Sequence, residues 1–314
     1  MFTYALAVVA FAKPFALAYT ARYYLPGDAK STVRAYICDE NGANRTAISR
    51  GKADASEVAW AGPGRLVWIE NGSTDTPGLW TAAIGGEPTK VRDLPKGAGL
   101  LRGWALTEPG KPVYYETDET AGPFWEIQPD GTAKQVQKPV SALKDLMPED
   151  TTAGSLTVEG SGGKPLALDF TEDTYTLSRV DGGAKTKLDL PNLNDLMLRH
   201  IFLPPSKDEA FIVGWTHDST RGTHLGLVRY AFATGKATTI FQDASDVDMW
   251  PGRRAVAWTT PRDLAPFGKK KVWTSQAWVG DMATGWQREV IKGSVFIFNF
   301  AVRPGATFNA TTGG

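Results

Sequence analysis

Cysteine is almost absent from this 314-residue chain, which carries a single one, Cys38. One cysteine excludes an internal disulfide and any zinc site built from several thiolates. The remaining role for Cys38 is that of a small buried side chain. An excess of charge of one sign is also lacking, because 34 basic residues balance 34 acidic residues. The composition therefore gives no reason to expect nucleic acid or an anionic membrane as a partner.

Long uninterrupted hydrophobic runs are missing as well. The most apolar segment, residues 1–21, is broken at Lys13 and Pro14, and the run before Lys13 is too short to span a bilayer. Ala16-Leu17-Ala18 has the small-residue form of a signal-peptidase site. This pattern predicts a signal peptide over residues 1–20 and a periplasmic or secreted protein. Because no basic residue precedes the apolar run, an N-terminal strand and a cytoplasmic location are the alternatives.

Helical periodicity is lacking too, and only residues 190–202 have the character of a helical turn. The chain is instead rich in short alternating runs separated by glycine, proline and asparagine. Residues 56–95 contain four such runs, with turns at Gly62-Pro63-Gly64, Asn71-Gly72 and Gly85-Gly86. Four antiparallel strands in about 40 residues correspond to one blade of a β-propeller.

A turn glycine follows the third strand of this unit and recurs along the chain at intervals of 44 to 52 residues. Tight hairpins need a residue with positive φ, so the recurrence has a physical cause. The recurring glycines are Gly42, Gly86, Gly131, Gly183, Gly235 and Gly285.

The pattern predicts an all-β fold, a six-bladed propeller of four-stranded antiparallel blades over residues 21–305, followed by a tail at residues 306–314. Residues 21–49 supply only three strands, and residues 295–304 supply one strand without partners. We therefore expect the two ends of the chain to share one blade, which leaves no open sheet edge. Seven blades would result if residues 1–21 and the tail built a further half-blade.

Two stretches resemble the WD-like repeat of TolB-type propellers. One is Trp-Ala-Gly-Pro-Gly at residues 60–64, followed by the strands of residues 65–72 and 79–94. The other is the hairpin of residues 38–45, Cys-Asp-Glu-Asn-Gly-Ala-Asn-Arg. The same repeats form the propeller half of prolyl-oligopeptidase-type peptidases, so the resemblance implies a scaffold and no particular activity.

The sequence contains no motif for a known catalytic site. Glu159-Gly160-Ser161-Gly162-Gly163 departs from the Gly-x-Ser-x-Gly elbow of serine hydrolases and lies within a predicted blade. His217, Asp218 and His224 flank one loop at a spacing that matches no metal motif, and hydrogen bonding is the favoured interpretation. We therefore predict no cofactor, no metal and no catalytic residues.

Function is expected at one mouth of the central channel. We predict a non-catalytic, monomeric binding module or scaffold that recognises a protein or glycan partner through that channel face. The alternatives are a channel-sited hydrolase of lactonase or glycosidase type, and a peptidase propeller lacking its hydrolase domain. The candidate binding residues lie near predicted innermost strands: Glu57, Arg102, Arg199, His200, Asp248 and Asn299.

Tryptophans and lysines allow two further predictions. Trp60, Trp104 and Trp250 recur at one position of the repeat, which favours packing between blades over stacking on a sugar.

Lys269, Lys270 and Lys271 belong to a long insertion that also gathers nearby arginines, namely Arg253, Arg254 and Arg262. This basic cluster is either a solvated face or a docking loop for an acidic partner.

Overall fold

The computed structural model describes residues 15–25, 31–71, 76–104, 109–140, 143, 153–161, 165–171, 174–216 and 224–308. These residues fold into four-stranded antiparallel sheets, as the alternating pattern predicted, in an arrangement consistent with a β-propeller. No helix in this part of the chain has the length and apolar character of a membrane span.

Each sheet follows the order of the sequence. Sheet 1 contains β1 (Phe15–Tyr23), β2 (Arg34–Asp39) and β3 (Thr46–Ala47). Sheet 2 contains β4 (Asp54–Gly62), β5 (Arg65–Asn71), β6 (Pro77–Ala83) and β7 (Thr89–Asp93). Sheet 3 contains β8 (Gly99–Trp104), β9 (Pro109–Tyr115), β10 (Phe124–Ile127) and β11 (Ala133–Val136).

The second half of the chain repeats this plan. Sheet 4 contains β12 (Ala153–Val158), β13 (Leu166–Thr171), β14 (Thr174–Asp181) and β15 (Ala184–Lys187). Sheet 5 contains β16 (Leu193–Phe202), β17 (Glu209–Thr216), β18 (Leu225–Ala231) and β19 (Lys236–Ala244). Sheet 6 contains β20 (Asp246–Trp250), β21 (Ala255–Thr259), β24 (Ala277–Asp281) and β25 (Trp286–Ile291). A hairpin, β22 (Asp263–Phe267) and β23 (Lys270–Thr274), separates β21 from β24.

The last strand, β26 (Val295–Val302), completes sheet 1 by pairing with β1. Leu17 lies opposite Val302 and Tyr19 opposite Phe300. The predicted pairing of the two ends of the chain is confirmed. The first strand, however, already includes Phe15, six residues before the start that we predicted at residue 21. The small-residue site Ala16–Ala18 therefore lies inside a buried, doubly paired strand.

Hydrophobic clusters lie between neighbouring sheets. Five clusters join sheets 1 and 2, 2 and 3, 4 and 5, 5 and 6, and 6 and 1. Sheet 1 thus packs on sheet 2 by one face and on sheet 6 by the other. Trp60 illustrates this packing, since its buried indole Nε1 donates to the Ala301 carbonyl of sheet 1 at 3.1 Å. Trp250 packs against the cluster of sheets 6 and 1, and the side chain of Trp104 lies outside the described part of the chain.

The recurring turn glycines adopt positive φ at five of the six predicted positions. In sheet 2 the left-handed residue is Gly85 (φ 76°) and not Gly86, so the turn is shifted by one residue. Gly42 is required for a second reason: a Cβ there would lie 1.8 Å from the carbonyl oxygen of Val290 in sheet 6. The helical turn suggested for residues 190–202 was wrong, because β16 occupies that segment.

Candidate functional site

One edge strand of each sheet is the innermost strand of the predicted propeller. For sheet 1 this inner strand is β26; for sheets 2, 3, 5 and 6 they are β4, β8, β16 and β20. In space β26 lies beside both β4 and β20, and β4 lies beside β8. Polar side chains on these strands therefore meet groups from other sheets.

An ion pair between Arg102 of sheet 3 and Asp248 of sheet 6 is the central interaction of the site. Sheets 1 and 2 lie between these two sheets in the packing order, so the pair crosses the space that the inner strands border. Asp248 is only 3 % exposed. Its Oδ2 also accepts a hydrogen bond from the backbone N–H of Val302 on β26, and its Oδ1 accepts from Met249 at 3.0 Å. One carboxylate thereby connects three sheets.

Glu57 and Asn299 connect inner strands in the same manner. The Oε2 of Glu57 on β4 accepts a hydrogen bond from the backbone N–H of Leu100 on β8. The Oδ1 of Asn299 on β26 accepts one from Val58 on β4 at 3.0 Å. Burial raises the pKa of Glu57, and the Leu100 N–H opposes that shift only in part.

Asp246 is a member of this cluster that the sequence reasoning missed. Burial raises its pKa to about 6, Asp248 adds to that shift, and the positive charges of Arg199 and Arg102 oppose it. Since side chains two residues apart share a face of a strand, the Asp-Val-Asp pattern at residues 246–248 was the signal that could have revealed it.

Arg199 and His200 are adjacent in β16 but differ in environment. The register between β16 and β17 shifts between Leu198 and His200, so Arg199 is the unpaired residue of a bulge and its side chain is exposed. Bulges re-aim side chains, and this one leaves Arg199 close enough to act on the Asp246 charge. His200 is buried, with its ring 5.5 Å from that of Phe202.

A cavity of about 140 Å³ opens beside the polar cluster. It is lined by β4, β8 and β26, and includes Glu57, Arg102 and Asn299 together with the apolar residues Leu100 and Phe300. Three of the six predicted site residues thus share one cavity wall, and Asp248 joins them through Arg102. Arg199 and His200 are not among the residues that line it.

The overall fold resembles that of solved structures of other proteins. TolB from Acinetobacter baumannii superposes with a TM-score of 0.52 and 12 % identity, over 92 % of this chain and 67 % of TolB. The fold is TolB-like. The AtxE2 isopeptidase matches with a TM-score of 0.50 and 10 % identity, over 88 % of this chain and 50 % of the isopeptidase. No family model matches the sequence, and no curated protein does.

The TolB-like fold confirms the resemblance that we drew from residues 38–45 and 60–94, at the level of architecture. At such low identity it says nothing about chemistry. The chain covers two thirds of TolB and half of the isopeptidase, so the activities of those proteins do not transfer to it.

Metal ligation has little support in the described residues, where no three His, Cys, Asp or Glu side chains are grouped for it. His217 and Asp218, which we considered as ligands, lie outside the described residues. His224 is buried, and its Nδ1 lies 3.3 Å from the Oδ1 of Asp243. That contact agrees with the predicted hydrogen-bonding role. The cluster itself offers paired charges, hydrogen-bond donors and an adjoining apolar wall, which are features of a binding surface.

Proposed function

We propose that this chain is a six-bladed β-propeller, closed through sheet 1, that acts as a non-catalytic binding module. The mouth of its channel would hold a segment of a protein or glycan partner. The contact residues would be the predicted ones: Glu57, Arg102, Arg199, His200, Asp248 and Asn299. Export to the periplasm, the location expected from the sequence, belongs to the same proposal; because β1 begins at Phe15, cleavage after Ala18 does not.

One observation carries this proposal: the Arg102–Asp248 pair joins two sheets that are not neighbours, beside a cavity bordered by three inner strands. The pair places charge where several blades would converge. Glu57 and Asp248 both accept hydrogen bonds from backbone N–H groups of other sheets. Because each of the two acids holds a neighbouring sheet through a hydrogen bond, the arrangement favours a rigid, preorganised mouth. A glycosidase would instead require one of these carboxyl groups to act as an acid and the other as a base or nucleophile.

A binding assay on defined ligands tests the proposal. A random peptide library displayed on phage and a glycan array would be screened with the wild-type chain, then with Arg199→Ala and Glu57→Gln. Arg199 is exposed, and the glutamine amide oxygen still accepts from Leu100, so both variants should fold. The selected ligand should bind each variant at least about tenfold more weakly. Arg253→Ala, an exposed arginine beyond the other end of β20, is the matched control.

Ligands that bind the channel variants as well as the wild type would overturn the proposal, and so would the absence of any ligand in both screens. The hydrolase alternative makes a different prediction. A channel-sited lactonase or glycosidase would hydrolyse model lactones or aryl glycosides, and Glu57→Gln would abolish that activity.

The match to half of the AtxE2 isopeptidase keeps a peptidase-type propeller as a second candidate. In such a protein the propeller mouth would face a hydrolase domain. A peptide ligand selected at the mouth would suit either role, whereas a glycan ligand would exclude this second candidate.

A further inference from the structure

The described part of the chain exposes four large hydrophobic side chains, and they belong to neighbouring elements. Leu264 (44 % exposed) and Trp273 (45 %) are directly paired across the β22–β23 hairpin. Phe298 (47 %) lies on β26, the strand beside β23. Leu25 follows Tyr24, whose ring lies 5.8 Å from that of Phe267 in the hairpin. We name Leu264, Trp273 and Phe298 the hairpin patch.

The backbone explains why Phe298 is exposed. Thr20 pairs with Asn299 and Ala21 pairs with Ile297, so Phe298 is the additional residue of a bulge in β26. A bulged residue is unpaired and its side chain is re-aimed. Here the side chain is exposed, with its ring centre 4.7 Å from that of Phe296 in a T-shaped pair and 5.8 Å from the Arg22 guanidinium.

The hairpin patch borders the same channel mouth as the polar cluster. Thr259, the last residue of β21, pairs with Asp246, the first residue of β20. The hairpin therefore leaves sheet 6 at the end where Asp246 lies. From there the hairpin extends towards sheet 1, because the ring of Phe267 lies 5.8 Å from that of Tyr24, the residue after β1.

Positive charge accompanies the hairpin patch. Residues 261–274 contain four basic residues and one acidic residue, although the whole chain has no net charge. Lys269, Lys270 and Lys271 are exposed, and no ion pair to them occurs within the described residues. Arg262 lies 5.1 Å from the ring centre of Trp273. Arg254, by contrast, pairs with Asp208 and Glu209, so it is not part of the basic surface that we predicted.

The arrangement of these groups selects among possible occupants. Lys269 to Lys271 lie at the tip of the hairpin, whereas the Leu264–Trp273 pair lies nearer its base. A membrane-inserted hairpin would carry its apolar residues at the tip, which is the reverse order. Pro266 and the lysines also disfavour pairing of a further strand to the hairpin edges. A chain segment lying across the face can contact the apolar base and the basic tip together.

We propose that the hairpin patch and Lys269–Lys271 dock an acidic segment of a partner protein that carries an aromatic or aliphatic anchor residue. The apolar anchor packs on Leu264, Trp273 and Phe298, and the acidic residues face the lysines. This inference rests on the proposed function, because the hairpin patch extends the same channel mouth, and it specifies a protein as the partner.

The test uses random peptides displayed on phage, selected on the whole chain at low salt. Selected sequences should be enriched in Asp and Glu around an aromatic or aliphatic residue, and binding should weaken as salt is added. Trp273→Ser and the double variant Lys269→Glu/Lys271→Glu should each reduce affinity at least about tenfold. Lys134→Glu/Lys236→Glu makes the same change of net charge on β11 and β19, the strands at the sheet edges opposite the inner strands, and it should leave affinity within about twofold.

Several outcomes would overturn the inference. These are an unchanged affinity in the hairpin variants, selected peptides without acidic enrichment, and lysine-dependent flotation with vesicles of equal parts phosphatidylcholine and phosphatidylglycerol in place of peptide binding. Arg199→Ala separates the two proposals. Binding lost in Arg199→Ala but kept in the hairpin variants would refute only this inference, and the converse would refute only the channel site.

Discussion

At the scale of single residues, Asp248 is the side chain on which the site depends most. It is 3 % exposed and accepts from Val302, Met249 and Arg102. Removing one partner of a buried pair leaves the other charge uncompensated, which costs far more than the loss of an exposed pair. Arg102 would lose this ion pair, and the amide of Val302 would lose its acceptor.

We therefore expect Asp248→Ala to lower the free energy of unfolding by about 3 kcal/mol. Asp169→Ala is the matched control, because Asp169 forms an exposed pair with Lys185 and should cost less than about 1 kcal/mol. Urea unfolding followed by circular dichroism measures both. Equal losses in the two variants would show that Asp248 is not the buried centre described here.

Asp246 gives the site a dependence on pH. Its pKa rises from an ordinary 3.8 to about 6 in the folded protein, so the folded state binds the proton more tightly than the unfolded state. Stability from this group is present at low pH and is lost as pH rises from about 4 through about 6. Besides burial, the groups that act on its pKa are Arg199, Asp248, the backbone N–H of Val247 and Arg102.

Asp246→Asn should remove this dependence. The free energy of unfolding of the variant, relative to wild type, should be higher at pH 7.5 than at pH 4 by about 1–3 kcal/mol, because each pKa unit corresponds to about 1.4 kcal/mol. Urea titrations of both proteins across this range measure the difference. A difference that stays constant with pH would mean that Asp246 titrates normally.

The sequence predicted part of this site for a physical reason. Glu57, Asp248 and Asn299 could be placed because the repeat locates the inner edge strand of each sheet, and such strands would border the channel of the proposed propeller. Arg199 and Phe298 owe their orientation to bulges, and a bulge depends on the register between two strands. That register is a long-range property that the local pattern does not contain.

At the scale of elements, β1 is where sequence and structure differ most. The alternating pattern was clear from residue 21, whereas the preceding residues are mostly apolar and resemble a signal peptide. A mostly apolar run is also what a central strand covered on both faces requires. The structure places residues 15–20 in a strand through pairing with β26, about 280 residues away, and a local pattern cannot reveal such pairing.

Cleavage after Ala18 would remove four residues of β1 and leave Val302 and Ala301 without their partners. We expect a chain that begins at Tyr19 to be less stable than one that begins at Phe15 by at least about 3 kcal/mol, given the buried side chains lost. Thermal and urea unfolding of the two chains test this. Equal stability, or an exported form whose mass shows cleavage after Ala18, would contradict the role given to β1.

At the scale of the whole molecule, the hydrophobic clusters connect the sheets in the order 3, 2, 1, 6, 5 and 4. An open stack of repeats can unfold from its ends, because each unit contacts only its neighbours. If the sheets form the closed propeller that we propose, the molecule has no such end near the chain termini. Its sheets should therefore unfold together, so that a substitution that destabilises one sheet should also make another sheet open more often.

Cys38 is a natural reporter of that coupling. It lies fully buried in sheet 1, and burial raises its pKa to about 12, so its thiol reacts only when the sheet opens. Ile212 lies fully buried between sheets 4 and 5, away from sheet 1. Ile212→Ala should cost about 2–5 kcal/mol. If the molecule is one cooperative unit, this variant should speed thiol labelling of Cys38 by at least about thirtyfold, since 1.4 kcal/mol corresponds to tenfold.

Leu264→Ala, at an exposed site, should leave the labelling rate nearly unchanged. A rate that fails to respond to Ile212→Ala, while circular dichroism shows the loss of stability, would mean that sheet 1 opens independently and that the molecule is not one cooperative unit.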